Sequence, residues 1–218
     1  MNWDEHAERE ENRYQDGLHR LPEAPDARQK QLVRIAMAAS GAGLARLMQG
    51  RRAEAVGWFV RSAERYRESY ADAPPGSWGR LIGAVKARIL AGDWPGAEAD
   101  ARWVLDQVPA DTASPIARYA LALALLVLGD DERAQAETRR LLEASEDEFP
   151  RAVAEGLAAL ATREGGRYAA ALGRVLASFE ERDAYLEDIP VADTVVVIEA
   201  LAARRAFAVR PRSALLPS

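Results

Sequence analysis

Four copies of one short pattern punctuate this chain. In each, a glycine closes an apolar run and an alanine follows five residues later at the head of an amphipathic one. The copies are Gly50 with Ala55, Gly92 with Ala97, Gly129 with Ala134 and Gly166 with Ala171, spaced 37 to 42 residues apart. Glycine just past a helix end enters the left-handed region without steric cost, and a small residue one turn into the next helix lets two antiparallel helices approach closely. The pattern therefore predicts successive helical hairpins rather than a sheet.

Composition agrees with that expectation. Alanine and arginine are abundant, whereas valine, isoleucine and threonine are sparse outside one run, so nearly every segment favours helix. We expect an all-α protein whose 218 residues form a single domain. Its expected parts are a capping helix in residues 1–25, helical hairpins in residues 26–206 and an extended tail in residues 207–218. The absence of cysteine excludes disulfides, thiol nucleophiles, thiolate zinc sites and iron–sulfur ligation. The first twenty residues are densely charged and no apolar run approaches the ~20 residues of a membrane span. The expectation is a cytoplasmic protein with no membrane partner. A net charge of -5 speaks against a bulk nucleic-acid binder.

Taken in order, residues 2–20 carry Trp3, Ala7, Tyr14 and Leu18 among many charges, as suits a leading helix with a thin apolar stripe. Asp26 is the expected N-cap of a long helix to Gln49, in which Leu32, Val33, Ala36, Met37, Leu44, Leu47 and Met48 form the core stripe. Gly41 and Gly43 inside it each cost about 1 kcal/mol against alanine, which predicts a close helix crossing or a kink. Ser77, Asp93, Ser114 and Asp193 are the expected caps of later helices, with Pro95 and Pro115 in first-turn positions. Ile116 to Leu128 is apolar all round and predicts a buried helix. Val195 to Ile198 resembles a strand in isolation. Asp193 upstream and Glu199 to Ala203 downstream favour helix there.

These turns resemble those of the tetratricopeptide-repeat (TPR) family. The unit ending Gly92-Asp93-Trp94-Pro95-Gly96-Ala97 matches best, with Pro109 twelve residues after the alanine, and Phe59 fills the large apolar position four after Ala55. The resemblance covers about residues 30–180 and implies a TPR-like right-handed α-solenoid of about five helical hairpins, its first helices lining a concave face. The C-terminus is similar to the ending of the immunity protein 49 family. The carriers are a helix from Val195 to Arg205, then Phe207-Ala208-Val209, then Ser213-Ala214-Leu215-Leu216-Pro217, with Ala206 standing where a glycine is expected. That resemblance implies neutralisation of a cognate polymorphic bacterial toxin.

No constellation calls for catalysis or a cofactor. His6 and His19 lie thirteen residues apart with no second ligand at helical spacing, so no metal site is expected. No nucleophile elbow and no phosphate-cradling glycine motif is present. Glu146-Asp147-Glu148 and Asp130-Asp131 lack the alternating ligands of a calcium loop. Of the five tryptophans, Trp3, Trp58, Trp78, Trp94 and Trp103, most are expected to pack between hairpins, with one or two left as binding anchors.

Charge carries the functional signal. Residues 30–49 hold Lys30, Arg34 and Arg46, residues 78–91 hold Arg80, Lys86 and Arg88, and neither stretch contains an acid. Residues 115–128 add Arg118. On helices that line a concave face, these cations make a basic groove on an acidic protein; the alternative is that they snorkel or pair with neighbouring acids. Arg80 and Lys86 fall about 120° apart on a helical wheel, so the cations do not share one stripe. The expected function is a non-enzymatic interaction module binding an acidic protein or peptide partner through Arg34, Arg80, Lys86, Arg88 and Arg118. Toxin neutralisation is one alternative and RNA or a phosphorylated ligand in the groove another. The Leu215-Leu216 tail has two open readings, capping the edge of its own stack or joining another subunit in a homo-oligomer.

Overall fold

A computed structural model describes residues 2–145 and 147–217. Among them are ten α-helices, one 3-10 turn and no strand. The helices are α1 (Trp3–His19), α2 (Pro25–Met48), α3 (Arg52–Tyr70), α4 (Trp78–Ala91), α5 (Trp94–Gln107), α6 (Pro115–Leu128), α7 (Asp131–Glu143), α8 (Glu148–Thr162), α9 (Gly165–Glu180) and α10 (Asp193–Arg204). The 3-10 turn spans Leu186–Asp188. Val195 to Ile198 lie in α10, as their flanks predict.

The chain forms two compact units. One comprises Met1–Trp94, Ala184–Val191 and Leu216–Ser218; the other comprises Pro95–Asp183 and Ala192–Leu215. In the first unit α1 packs on α2, α2 on α3 and α3 on α4. Gly43 makes the α2–α3 crossing close, because a Cβ built there would lie 2.7 Å from the ring of Phe59, itself fully buried. At Gly41 the α1–α2 crossing admits the side chain of Glu10. That carboxylate is buried but held by Arg9 and Arg13, each at 2.8 Å, so its burial does not leave a lone charge. The glycines thus mark crossings, and α2 runs unbroken through both.

In the second unit α6 packs on α7, α7 on α8 and α8 on α9, while α10 rests on α8 and α9. Ser114 caps α6 by accepting from the Ala117 amide, with Pro115 at its first position. The far end of α6 is closed by Arg205, which donates to the Leu126 carbonyl at 2.9 Å and to Asp131 at 2.6 Å, and by Arg204, which donates to the Val127 carbonyl. Cations at a helix C-terminus satisfy orphan carbonyls and oppose the helix dipole.

Every second helix ends in the same way. After α2, α4, α6, α8 and α10 the next amides fold back in a six-to-one and five-to-two pair of hydrogen bonds around one left-handed residue. That residue is Gly50 (φ 74), Gly92 (φ 70) and Gly129 (φ 76) in the first three, then Arg163 (φ 57) and Ala206 (φ 64). The fourth turn therefore differs from the expectation: Gly166 lies inside α9, and the reversal falls three residues earlier, on Arg163. The register shift has a packing consequence. The position five after the left-handed residue is alanine in the first three turns, each almost fully buried, but the fully buried Tyr168 in the fourth. Ala171 is buried as well, one turn further on.

Some expected caps also differ. Pro25 opens α2 with Ala24 as N-cap, and Asp26, inside the first turn, instead accepts from Gln29 and Lys30. The Ser77 hydroxyl donates to the Pro74 carbonyl rather than capping α4, and Asp193 is the first residue of α10, where it accepts from the Thr194 hydroxyl while Ala192 is the N-cap residue. Each alternative offers these short side chains a local partner that competes with the cap.

Ala206 gives the first prediction. A residue with a Cβ pays roughly 1–2 kcal/mol in the left-handed region, and Ala206 is exposed, so nothing packs in exchange. Ala206→Gly should stabilise the protein by about 1 kcal/mol after the extra freedom glycine gives the unfolded chain is counted. Urea denaturation followed by circular dichroism reads this; an unchanged or lowered midpoint contradicts it.

Candidate partner-binding groove

The five cations expected at a groove have different fates. Arg88 pairs with Asp93 at 2.9 Å. Arg118 is almost buried, donating to Glu137 at 2.8 Å and to the Ala110 carbonyl, while Arg140 approaches the same carboxylate. Lys86 is half-buried with interactions of its own. Two remain that, among the described residues, have no carboxylate within salt-bridge distance: Arg34, exposed on α2, and Arg80, half-buried at the start of α4.

Arg80 is held by neutral groups. One guanidinium nitrogen donates to the Ser69 carbonyl of α3 and another to Oε1 of Gln29 on α2, so its charge ties three helices together without being neutralised. Gln29 is itself buried and donates to Asp26 at 3.1 Å. Burial alone pulls the Arg80 pKa below the usual guanidinium value, though arginine stays charged at any physiological pH. Among the described residues the Arg34 guanidinium reaches only the side-chain oxygen of Gln31, at 3.5 Å.

Arg80 stands at the edge of an open depression of about 320 Å³ within the first unit. Val33 and Met37 of α2, Tyr66 of α3, and Ser77 and Gly79 at the entry to α4 complete its lining. Arg34 is not part of that lining but lies one turn before Met37, which places a cation beside the α2 wall at that residue. The depression exists because α4 is bare here. Gly79 has open space where a Cβ would be, and a Cβ at Gly83 would lie 2.6 Å from the Tyr66 ring, which is laid against the α4 backbone. Val33 and Met37 are half-buried, so the sequence places them on a core stripe that the structure leaves partly open. Tyr66 also falls outside the expected binding set. The legible signal was the pair Gly79 and Gly83, four apart on one helical face with no turn to explain them.

All five tryptophans are half-buried, so none is a bare anchor. Trp58, for instance, meets Tyr14 edge-on at 5.3 Å and carries the Arg61 guanidinium over its ring. Among the described residues no group of three His, Asp or Glu side chains converges as a metal site requires. Of the acidic run Glu146-Asp147-Glu148, Glu146 lies outside the described residues, and Asp147 is the N-cap residue of α8. No described helix is long and apolar enough to cross a membrane. No protein-family model, curated protein or solved structure matches this chain.

Proposed function

We propose that the protein is a non-enzymatic, TPR-like interaction module whose groove between α2, α3 and α4 takes an extended segment bearing an apolar side chain and a carboxylate. The observation that carries this reading is Arg80: a partly desolvated guanidinium that lines an apolar depression and, like the nearby Arg34 of α2, has no carboxylate within salt-bridge distance among the described residues. An incoming carboxylate supplies the missing countercharge, and the apolar side chain covers Val33, Met37 and Tyr66. The helical-repeat reading of the whole chain is supported by the recurring left-handed turn after every second helix.

Fluorescence polarisation with short labelled peptides tests it. Peptides with leucine flanked by aspartate and glutamate should bind, and counterparts with lysine in place of the acids should not. Methyl NMR locates the site, since the chain has 3 methionines. The Met37 methyl should shift on titration while that of Met48, outside the groove lining, stays in place. Equal binding of acidic and basic peptides, or a silent Met37, overturns the proposal.

A second reading, occlusion of a cognate toxin, is supported by the C-terminal ending. The backbone at Ala206 is left-handed where such an ending calls for glycine, Phe207 then packs edge-on against Tyr168 at 5.4 Å, and the Ala192 amide donates to the Leu215 carbonyl. A toxin gene immediately upstream would favour it over the first.

A further inference from the structure

The segment Ala184–Val191 belongs to the same compact unit as α1 to α4, although it lies far along the chain from them. At its centre Leu186 is 71% exposed, the most exposed large apolar side chain among the described residues. Two consecutive non-glycine residues after it, Glu187 (φ 55) and Asp188 (φ 52), are left-handed. Such strain persists only where surrounding contacts impose it. Here the Asp188 amide donates to the Tyr185 carbonyl and the Ile189 amide to the Leu186 carbonyl, both at 3.1 Å. From α1, Arg9 donates to the Glu187 carbonyl at 2.5 Å and Arg13 pairs with the Glu187 carboxylate. Ile189 and Pro190 are buried behind the turn. The fold thus accepts a strained backbone to hold a bare leucine outward on a rigid mount, with the exposed Asp188 two residues away.

We propose that this Leu186–Asp188 turn is a docking knob for the α2–α3–α4 groove of a second copy of the chain. The inference rests on the groove reading above and deepens it by naming the occupant. The two surfaces are complementary in kind. The knob offers one exposed leucine and one carboxylate, Asp188, that no arginine of its own chain claims among the described residues. The groove offers an apolar depression lined by the Arg80 guanidinium, with Arg34 one turn from its Met37 wall, and among the described residues no carboxylate lies within salt-bridge distance of either. Leu186 is not seated in its own chain's groove, since it is exposed. A preformed turn loses little conformational freedom on docking, which favours an anchor of this kind.

Sedimentation velocity over a concentration series tests the pairing. The unaltered chain should self-associate, Leu186→Asp should be monomeric because its knob is spoiled, and Arg34→Glu should be monomeric because its groove is spoiled. Both positions are exposed, and circular dichroism confirms that each variant folds. Val33→Asp serves as a stronger groove variant. Mixing the Leu186→Asp chain with the Arg34→Glu chain should restore a one-to-one complex, because one partner keeps a sound groove and the other a sound knob. Failure of the mixture to associate, or self-association that survives both substitutions, overturns the proposal. A chain that stays monomeric yet still takes up the acidic leucine peptides overturns self-docking and leaves the groove reading standing. A chain that does neither loses both.

Discussion

Gly43→Leu is expected to unfold the unit built from α1 to α4, or nearly so. A Cβ at Gly43 already lies 2.7 Å from the Phe59 ring, inside any permissible contact, and Phe59 is fully buried and has nowhere to turn. Overpacking by single methylenes costs about 1–3 kcal/mol, and a whole isobutyl group against a locked ring should reach about 4 kcal/mol or more, the range reserved for core disruption. Helix propensity returns only about 1 kcal/mol. Against a total stability of roughly 5–15 kcal/mol that loss is severe. Urea denaturation should show it, and Phe59→Ala in the same chain should recover part of it by opening room at the crossing. A midpoint unchanged by Gly43→Leu would mean that α2 and α3 do not cross there.

Glu199→Ala is the second large effect. One carboxylate accepts from the hydroxyl of the fully buried Tyr168 and from the backbone amides of Val209 at 3.1 Å and Arg210 at 2.6 Å. Removing it strands a buried hydroxyl and releases the chain beyond α10. Charge-assisted bonds contribute about 1.5–3 kcal/mol each and an orphaned buried donor costs about 1–3 kcal/mol, so a loss of roughly 3–4 kcal/mol is expected. Limited proteolysis should then cut near Arg210 and Arg212 well before the helices, and cleavage no faster than in the unaltered chain would contradict the assignment. The same pair sets an alkaline limit. Burial, helped by the hydrogen bond to Glu199, pushes the Tyr168 pKa well above its ordinary value near 10. The unfolded chain therefore loses that proton first as pH rises, and stability present below about pH 10 declines above it. Tyr168→Phe should flatten that decline.

Much of this architecture was legible because its signals are local. A glycine after an apolar run fixes a left-handed turn whatever surrounds it, as at Gly50, Gly92 and Gly129. A proline after serine fixes the start of α6. The fourth turn escaped because a residue with a Cβ, Arg163, took the left-handed position, while the nearby Gly165 and Gly166 were free to enter α9. The candidate site was legible only in part, since the cations share one sequence signature but not one environment. Arg118 meets Glu137 from the next helix and Arg88 meets Asp93 beyond its own helix end, whereas Arg80, among the described residues, meets a carbonyl and a side-chain amide oxygen instead of an acid. Which arginine lacks an acid depends on distances between helices. Periodicity is blind to those distances, and for the same reason it assigned Val33 and Met37 to the core.

The most direct test of the groove is the dissociation constant of one labelled acidic leucine peptide, measured against salt for the unaltered chain, Arg34→Glu and Arg102→Glu. Arg102 is an exposed cation of the other unit, so its reversal changes net charge equally without touching the groove. Arg34→Glu should weaken binding by about tenfold or more at low salt, about 1.4 kcal/mol, while Arg102→Glu leaves it nearly unchanged, and raising salt to about 0.5 M should weaken binding to the unaltered chain. Equal affinity for all three proteins across the salt series would contradict a binding groove at Arg34 and Arg80.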